Sequence, residues 1–302
     1  GYCGSRGRRI TVPPPLFPLK PPTSAELGLA QELPDANWPL HAKPGLATID
    51  YHALLQLAPE SLRAELSEAL LWCGYGGIHP SYALQCIPLS VDQLRRSKIS
   101  PSHIQALFSA DKIAVLDSPP LGTVNAFTIA QISKKRYRPI FEPLLNRLVN
   151  NVPALQYPSR LQRRSVRIRM AFTIEFDFSA YFDQFSLDPA VQSHYAFVTG
   201  VTPTRIVGAT RLPMGARWAP YVAQLATNCL LPATTTPARF CVDTMIDNVR
   251  FCADDPATLL AAVQTFLLRC RAARVTLNEF DGVTLQSIIA AASRPATFLG
   301  EV

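Results

Sequence analysis

The sequence contains no run of about eighteen apolar residues, so no segment is expected to cross a bilayer as a helix. It opens with no charged segment leading into an apolar core, and no signal peptide is read. Cysteine offers no framework either. Cys3, Cys73, Cys86, Cys229, Cys241, Cys252 and Cys270 are odd in number and scattered, with no CxxC pair and no Cys/His cluster at zinc spacing. They read as reduced, mostly buried thiols, which predicts an intracellular compartment. No internal repeat is present. An initiating Met is missing, and a chain that begins at Gly1 reads as a fragment or a processed piece of a polyprotein. Acidic residues are in short supply: 22 Asp and Glu against 29 Lys and Arg give a net charge of +7. That balance favours nucleic acid or an anionic surface as partner and says nothing about fold.

What is present is a largely globular composition. Of 302 residues, 48% are hydrophobic and 17% charged, enough for one large domain or two modest ones with a core. The 27 prolines predict long irregular connections. Residues 1–46 are expected to be a poorly ordered, Pro-rich arm. Gly1 to Lys20 carries Arg6, Arg8, Arg9 and Lys20 without an acid, and Pro13-Pro14-Pro15 and Pro21-Pro22 favour extended backbone. Such an arm is either a plain linker or a basic contact to nucleic acid. From Ile49 to Cys73 the spacing of Leu54, Leu55, Leu57, Leu62, Leu66, Leu70 and Leu71 predicts a helix, ended by Gly74, Gly76 and Gly77. A second helix is expected over Val91–Lys98 and a third over His103–Ala110, capped by Ser102.

Residues 134–169 hold ten basic side chains and one acid, Glu142. The cations are Lys134, Lys135, Arg136, Arg138, Arg147, Arg160, Arg163, Arg164, Arg167 and Arg169, with Tyr137, Phe141 and Tyr157 interleaved. A solvated face would account for them, but their concentration ahead of an acidic strand end points to phosphate contact. Val166 to Phe178 then alternates: Val166, Ile168, Met170, Phe172, Ile174, Phe176 and Phe178 on one parity, Arg167, Arg169, Ala171, Thr173, Glu175 and Asp177 on the other. A period of two places Asp177 off the apolar face of a strand. Phe240 to Phe251 reads as a hairpin with Asp247-Asn248 as its two-residue turn. Pro256 to Arg271 follows as a helix capped by Asp254 or Asp255. Cys252-Ala253-Asp254-Asp255 imitates a hairpin tip, but Pro256 and a helix follow where a return strand is needed.

Two carboxylates separated by a glycine-bearing segment suit a particular chemistry. Joining a nucleotide to a primer needs an activated 3′ oxygen and a stabilised leaving pyrophosphate, and two divalent ions about 3.5–4 Å apart do both. Hard ions take carboxylate oxygens. Asp177 and Asp247 are the expected metal-bridging pair, with carboxylates within about 5 Å, and the Phe178 carbonyl adds a ligand.

The motifs in series resemble those of reverse transcriptases. Asp177-Phe178-Ser179-Ala180-Tyr181-Phe182-Asp183-Gln184 is similar to motif A, Leu212-Pro213-Met214-Gly215 through Pro220 and Gln224 to motif B, and Met245-Ile246-Asp247-Asn248 to motif C. Ala273 to Glu279 falls at motif D, Phe298-Leu299-Gly300 resembles the primer grip of motif E, and Lys134 to Asn146 resembles the basic fingers motif. The likeness covers roughly residues 130–302, and motif B is its most specific part. Among retroelements the strings look like the tyrosine-recombinase group, in particular the VIPER type. Residues 1–120 resemble no family.

The resemblance implies an α+β right hand of fingers and palm, its antiparallel palm sheet backed by helices. Residues 47–165 would be a helical N-terminal and fingers region and 166–302 the palm. It implies RNA-directed DNA synthesis with two Mg²⁺ or Mn²⁺ ions, using an RNA template, a DNA primer and dNTPs, in a larger polyprotein with a following RNase H domain. Asp177, Asp247 and Asn248 would be catalytic. Phe182 would be the steric gate against a ribose 2′-OH. Arg138 and one of Lys134 or Lys135 would clamp the triphosphate. Gly215 would let backbone approach nucleotide and template, Gln224 and the region around Arg217 would face nucleotide and template or support that helix, and Arg217, Phe298, Leu299 and Gly300 would lie on template and primer. The chain departs from the pattern at three places. Asn248 replaces a second aspartate, motif D has Arg274, Asn278 and Glu279 but no lysine to protonate pyrophosphate, and the sequence stops at Val302 before a thumb, which is therefore absent or truncated. These departures leave open a catalytically impaired relative that serves as a nucleic-acid-binding scaffold.

Overall fold

The structure is a computed structural model and describes residues 32–155, 171–233, 240–278 and 284–292. The helical stretch expected from Ile49 is two helices, α1 (Tyr51–Leu57) and α2 (Glu60–Leu70), followed by a 3-10 turn at Leu71–Cys73. The break is at Ala58, held extended (φ −61°, ψ 135°) because the following Pro59 disfavours the α region. Asp50 caps α1 through the Ala53 N–H (3.0 Å), and Gly74 ends the segment at φ +83°. Leu54, Leu66 and Leu70 are fully buried.

The second expected helix is a single 3-10 turn, Val91–Gln93, closed by Ser90 and Gln93. Beyond it Arg96 bridges to Val198, so Leu94–Lys98 belongs to a sheet edge. The third helix, α3 (Pro101–Ser109), starts earlier than expected. Ser100 precedes it and Pro101 opens it, so Ser102 lies inside the first turn rather than at the cap.

Three antiparallel sheets follow. Strands β2 (Val124–Gln131) and β3 (Arg136–Pro143) form a hairpin. Strands β1 (Ile113–Val115), β5 (Ala196–Val198) and β6 (Ile206–Ala209) form a sheet in the order β1-β6-β5. The third sheet, in the order β4-β8-β7, comprises β4 (Phe172–Asp177), β7 (Phe240–Met245) and β8 (Asn248–Ala253). Ile174 and Phe176 of β4 are buried while Asp177 is exposed, the parity that the alternation predicts. The upstream part of that expected strand, residues 166–170, lies outside the described residues.

A short helix, α4 (Pro189–Gln192), precedes β5, and α5 (Ala219–Leu230) and α6 (Pro256–Ala272) pack behind the third sheet. Asp255 caps α6, accepting from Thr258 N (2.8 Å), which removes Asp254-Asp255 from consideration as a hairpin tip. The last described helix is α7 (Leu285–Ala292). Among the described residues a main core joins these elements except α7, with a second small cluster at Leu94, Ala196 and Val198. Within the main core Trp218 stacks on Trp72 (4.1 Å, 6°) and donates Nε1–H to the Tyr195 hydroxyl (3.1 Å), pinning the segment before α5 to the N-terminal helices.

The arm expected through residue 46 is structured from Trp38 onward. Its backbone runs parallel to β3, with Tyr137 N–H on the Pro39 carbonyl (2.8 Å) and His41 N–H on the Tyr137 carbonyl (2.6 Å). Leu40 is buried beneath it. This strap carries two side chains into the site described below. Among the described residues no helix is long and apolar enough to cross a membrane. The described cysteines are all free thiols, with Cys73, Cys229, Cys252 and Cys270 buried, Cys241 half-buried and Cys86 exposed.

Candidate active site

Antiparallel register brings the two aspartates together. Asp177, the last residue of β4, lies opposite Asn248, the first of β8, and the Phe178 N–H donates to the Asp247 carbonyl (2.9 Å). Met245 pairs with Asn248, so the hairpin turn is Ile246-Asp247 rather than Asp247-Asn248. Ile246 takes φ +55°, a conformation that a β-branched residue adopts only when its surroundings impose it. They do: Ile246 N–H donates to Gln224 Oε1 (2.7 Å), and Thr227 Oγ1 donates to the Ile246 carbonyl (2.6 Å).

The carboxylates are further held by amides. Asn248 Nδ2 donates to Asp247 Oδ1 (3.3 Å), and Asn278 Nδ2 donates to Asp177 Oδ2 (2.8 Å) while its backbone N–H reaches the Asp177 carbonyl (2.8 Å). Burial, and then the charge of Asp177, push the Asp247 carboxyl above the usual carboxylate range, partly opposed by Arg138 and Lys134. Two anions crowded at one sheet end favour a cation between them.

Above this end is a cleft of about 360 Å³. Lys134, Arg136 and Arg138 enter it from the β2–β3 hairpin, Arg211 from the loop before α5, and His41 and Lys43 from the strap. Lys112 also lines it, ion-paired with Asp183 (2.8 Å) at 9% side-chain exposure. Burial first, then Arg136, drives the His41 pKa down to about 4, so its ring is neutral at pH 7. Neutral Nδ1 then accepts from Arg136 Nη1 (2.9 Å) and steadies that guanidinium. Phe182 forms part of the wall.

Several expected site residues lie elsewhere. Lys135 sits at φ +46° and pairs with Glu32 (3.0 Å), so of the two lysines only Lys134 reaches the cleft. Gly215 (φ +121°) packs closely against β3. A Cβ there would stand 2.6 Å from the Phe141 carbonyl oxygen, and Asn146 donates to the Gly215 carbonyl (2.8 Å). Gln224 is 6% exposed, and Nε2 donates to Asn228 Oδ1 and Thr244 Oγ1 (both 2.9 Å), so its amide holds the hairpin and does not face the cleft. Arg217 is exposed and donates to the Val149 carbonyl (3.3 Å) beside a separate groove. Phe298, Leu299, Gly300, Glu279, Tyr157, Arg160, Arg163, Arg164, Arg167 and Arg169 lie outside the described residues.

Sequence reasoning missed His41, Lys43, Lys112 and Gln184. Gln184 is fully buried and staples the loop after β4, donating to the Ser179 (2.7 Å) and Thr276 (2.8 Å) carbonyls. A buried Gln in a polar motif is a signal that could have found it; the other three need the tertiary fold.

Among the described residues no three His, Cys, Asp or Glu side chains converge as a metal group. Two carboxylates beside a cationic cleft nevertheless fit Mg²⁺, which characteristically uses one or two carboxylates and completes its shell with substrate phosphates and water. The Phe178 carbonyl is the adjacent backbone oxygen.

The fold is similar to that of solved reverse transcriptases. Neither a protein-family model nor a curated protein matches the chain. Solved structures do. A foamy viral protease-reverse transcriptase dRH in complex with double-stranded DNA aligns with TM-score 0.50 at 14% identity, covering 84% of this chain and 46% of that one. A foamy viral protease-reverse transcriptase in complex with double-stranded DNA gives TM-score 0.47 at 13% identity, over 78% and 52%. The chain thus spans about half the length of these structures. At 14% identity the first of these likenesses concerns the fold alone.

Proposed function

We propose that the chain is the fingers and palm of an RNA-directed DNA polymerase from a retroelement, of the tyrosine-recombinase type that its motifs resemble. Residues 47–165 form the N-terminal and fingers region and 166–302 the palm, within a larger polyprotein that continues into an RNase H domain. The observation that carries the reading is the placement of Asp177 and Asp247 at one sheet end beneath a cleft walled by Lys134, Arg136 and Arg138. Two Mg²⁺ or Mn²⁺ ions held by Asp177, Asp247 and the Phe178 carbonyl would supply activation of the primer 3′ oxygen and stabilisation of the departing pyrophosphate.

The chain's own residues orient the reactants. Arg138 and Lys134 bind the triphosphate of the incoming dNTP, Arg138 through its planar fork. Phe182 meets the sugar and rejects a 2′-OH. Asn278 fixes the rotamer of Asp177, and Asn248 that of Asp247. The primer oxygen then forms its bond to the α-phosphorus as the bond to pyrophosphate breaks. RNA template and DNA primer lie against the basic surface around the cleft.

A second reading, a nucleic-acid-binding scaffold without catalysis, is favoured by the uncharged Asn248 and by the Asn278 amide already seated on Asp177. Primer extension on poly(rA)/oligo(dT) with Mg²⁺ and then Mn²⁺ separates the two, using the chain alone and with its native C-terminal extension. Extension abolished by Asp177→Ala supports the polymerase. RNA binding without extension in either form supports the scaffold.

A further inference from the structure

The strap brings a cation to the carboxylates from a part of the sequence that resembles no family. Lys43 Nζ donates to Ser179 Oγ (2.5 Å) and Asn278 Oδ1 (3.3 Å). Those partners come from the two segments that flank Asp177: Ser179 follows it in sequence, and Asn278 donates to Asp177 Oδ2. An ammonium has three N–H donors. Two are used in fixing the side chain, and the third is available to a ligand in the cleft that Lys43 lines. The strap is anchored where this matters, by its backbone pairing to β3 and by Leu40 beneath it. His41, two residues earlier, holds Arg136 from the same strap. The cleft therefore has cations on two sides: Arg138 and Lys134 from the β2–β3 hairpin, and Lys43 on the side of Asn278.

We propose that Lys43 is a phosphate ligand of this site, engaging a polyphosphate opposite the Arg138 and Lys134 wall, and that the strap is a working part of the nucleotide site. This rests on the polymerase reading for its ligand class. Lys112, another lysine lining the cleft, is tied to Asp183 and cannot take the role without breaking a largely buried ion pair.

The test is isothermal titration of the whole chain with inorganic tripolyphosphate, and dNTP steady-state kinetics wherever primer extension is observed. Lys43 is exposed, so Lys43→Ala is expected to keep the wild-type circular dichroism and melting curve. It should weaken tripolyphosphate binding about tenfold, the order of one lost charge-assisted contact. Lys43→Arg should restore binding to within about threefold, and the exposed Lys98→Ala, off the cleft, should have no effect. In kinetics the Ala variant should raise KM for dNTP more than it lowers kcat. Unchanged affinity in Lys43→Ala with a loss in Arg138→Ala would overturn the role of Lys43 and leave the polymerase reading standing. Unchanged affinity in both, or no tripolyphosphate binding by the wild type, would overturn both.

Discussion

Replacing Gln224 by Leu asks whether this residue serves the hairpin or the substrate. The swap keeps the volume and removes the amide. Lost with it are the acceptor for Ile246 N–H (2.7 Å) and the donor bonds to Asn228 and Thr244. Each intramolecular bond is worth about 0.5–1.5 kcal/mol net, and a buried donor left without a partner costs about 1–3 kcal/mol. The strained φ of Ile246 also loses its clamp. The sum is a destabilisation of about 2–4 kcal/mol, a large share of the roughly 5–15 kcal/mol that holds a domain together. Urea unfolding at pH 7 should show an earlier midpoint with an unchanged slope. Gln224→Glu, which keeps an acceptor for Ile246 but loses the donor, should fall between. Where primer extension is observed, kcat should drop because Asp247 sits on the released turn. A Gln224→Leu variant within 0.5 kcal/mol of wild type, with only a raised KM for dNTP, would refute this reasoning and return Gln224 to the nucleotide.

Other predictions follow from single contacts. Gly215→Ala should cost about 2 kcal/mol or more, since φ +121° and the Phe141 backbone both oppose a Cβ, as a melting curve would show. Asp243 accepts from Arg250 Nε (3.1 Å) inside the sheet, and Arg250 is 1% exposed. Asp243→Ala should therefore destabilise by about 3 kcal/mol in chemical unfolding, because it leaves the buried guanidinium undercompensated. His41 has a folded pKa of about 4, below the ordinary 6.5 of a free imidazole, so the unfolded chain takes up the proton first as pH falls. Its contribution to stability is complete above about pH 6.5 and is lost toward pH 4, and the pH dependence of Tm over that window should flatten in His41→Gln. Asp177→Asn should bring the Asp247 carboxyl down toward its ordinary value without reaching it, because burial persists; carboxyl ¹³C titration reads this directly.

Much of the carboxylate sheet was legible because its signals are local. The alternation through Phe172–Asp177 and the hairpin around Asp247 are period-two patterns, and α6 announces itself with Asp255-Pro256. The turn was misread by one residue because asparagine and aspartate tolerate positive φ locally. What decides is Gln224 of α5 reaching across to the Ile246 N–H. The sheet of β1, β5 and β6 has strands of only three or four residues, too short to show a period. Its edge at Leu94–Lys98 was accordingly taken for helix. Gly215 and Gln224 were found by motif, but their contacts to Phe141 and to the Ile246 turn were not, since a motif records where a residue stands and not what the fold brings against it. The strap was missed because the Pro-rich, basic stretch before it makes Trp38–Lys43 look like the end of a linker. Its order comes from a backbone bridge to Tyr137 of β3 that composition does not reveal.

The order of the cleft along the chain has a consequence for synthesis. Lys43, Lys112, Lys134, Arg136 and Arg138 all leave the ribosome before Asp177, Asp183 and Asp247. A growing chain therefore carries the cations of its cleft, Arg211 excepted, before the carboxylates that offset them. Until residue 247 emerges, that nascent segment has only Asp177 and Asp183 against its cations and is an anion exchanger with an incomplete acid floor, made beside ribosomal RNA. Completion of the β7–β8 hairpin converts a general affinity for phosphate into a cleft with a charged bottom. Ribosome-bound chains truncated before and after that hairpin would display the change as a drop in salt-sensitive retention on RNA.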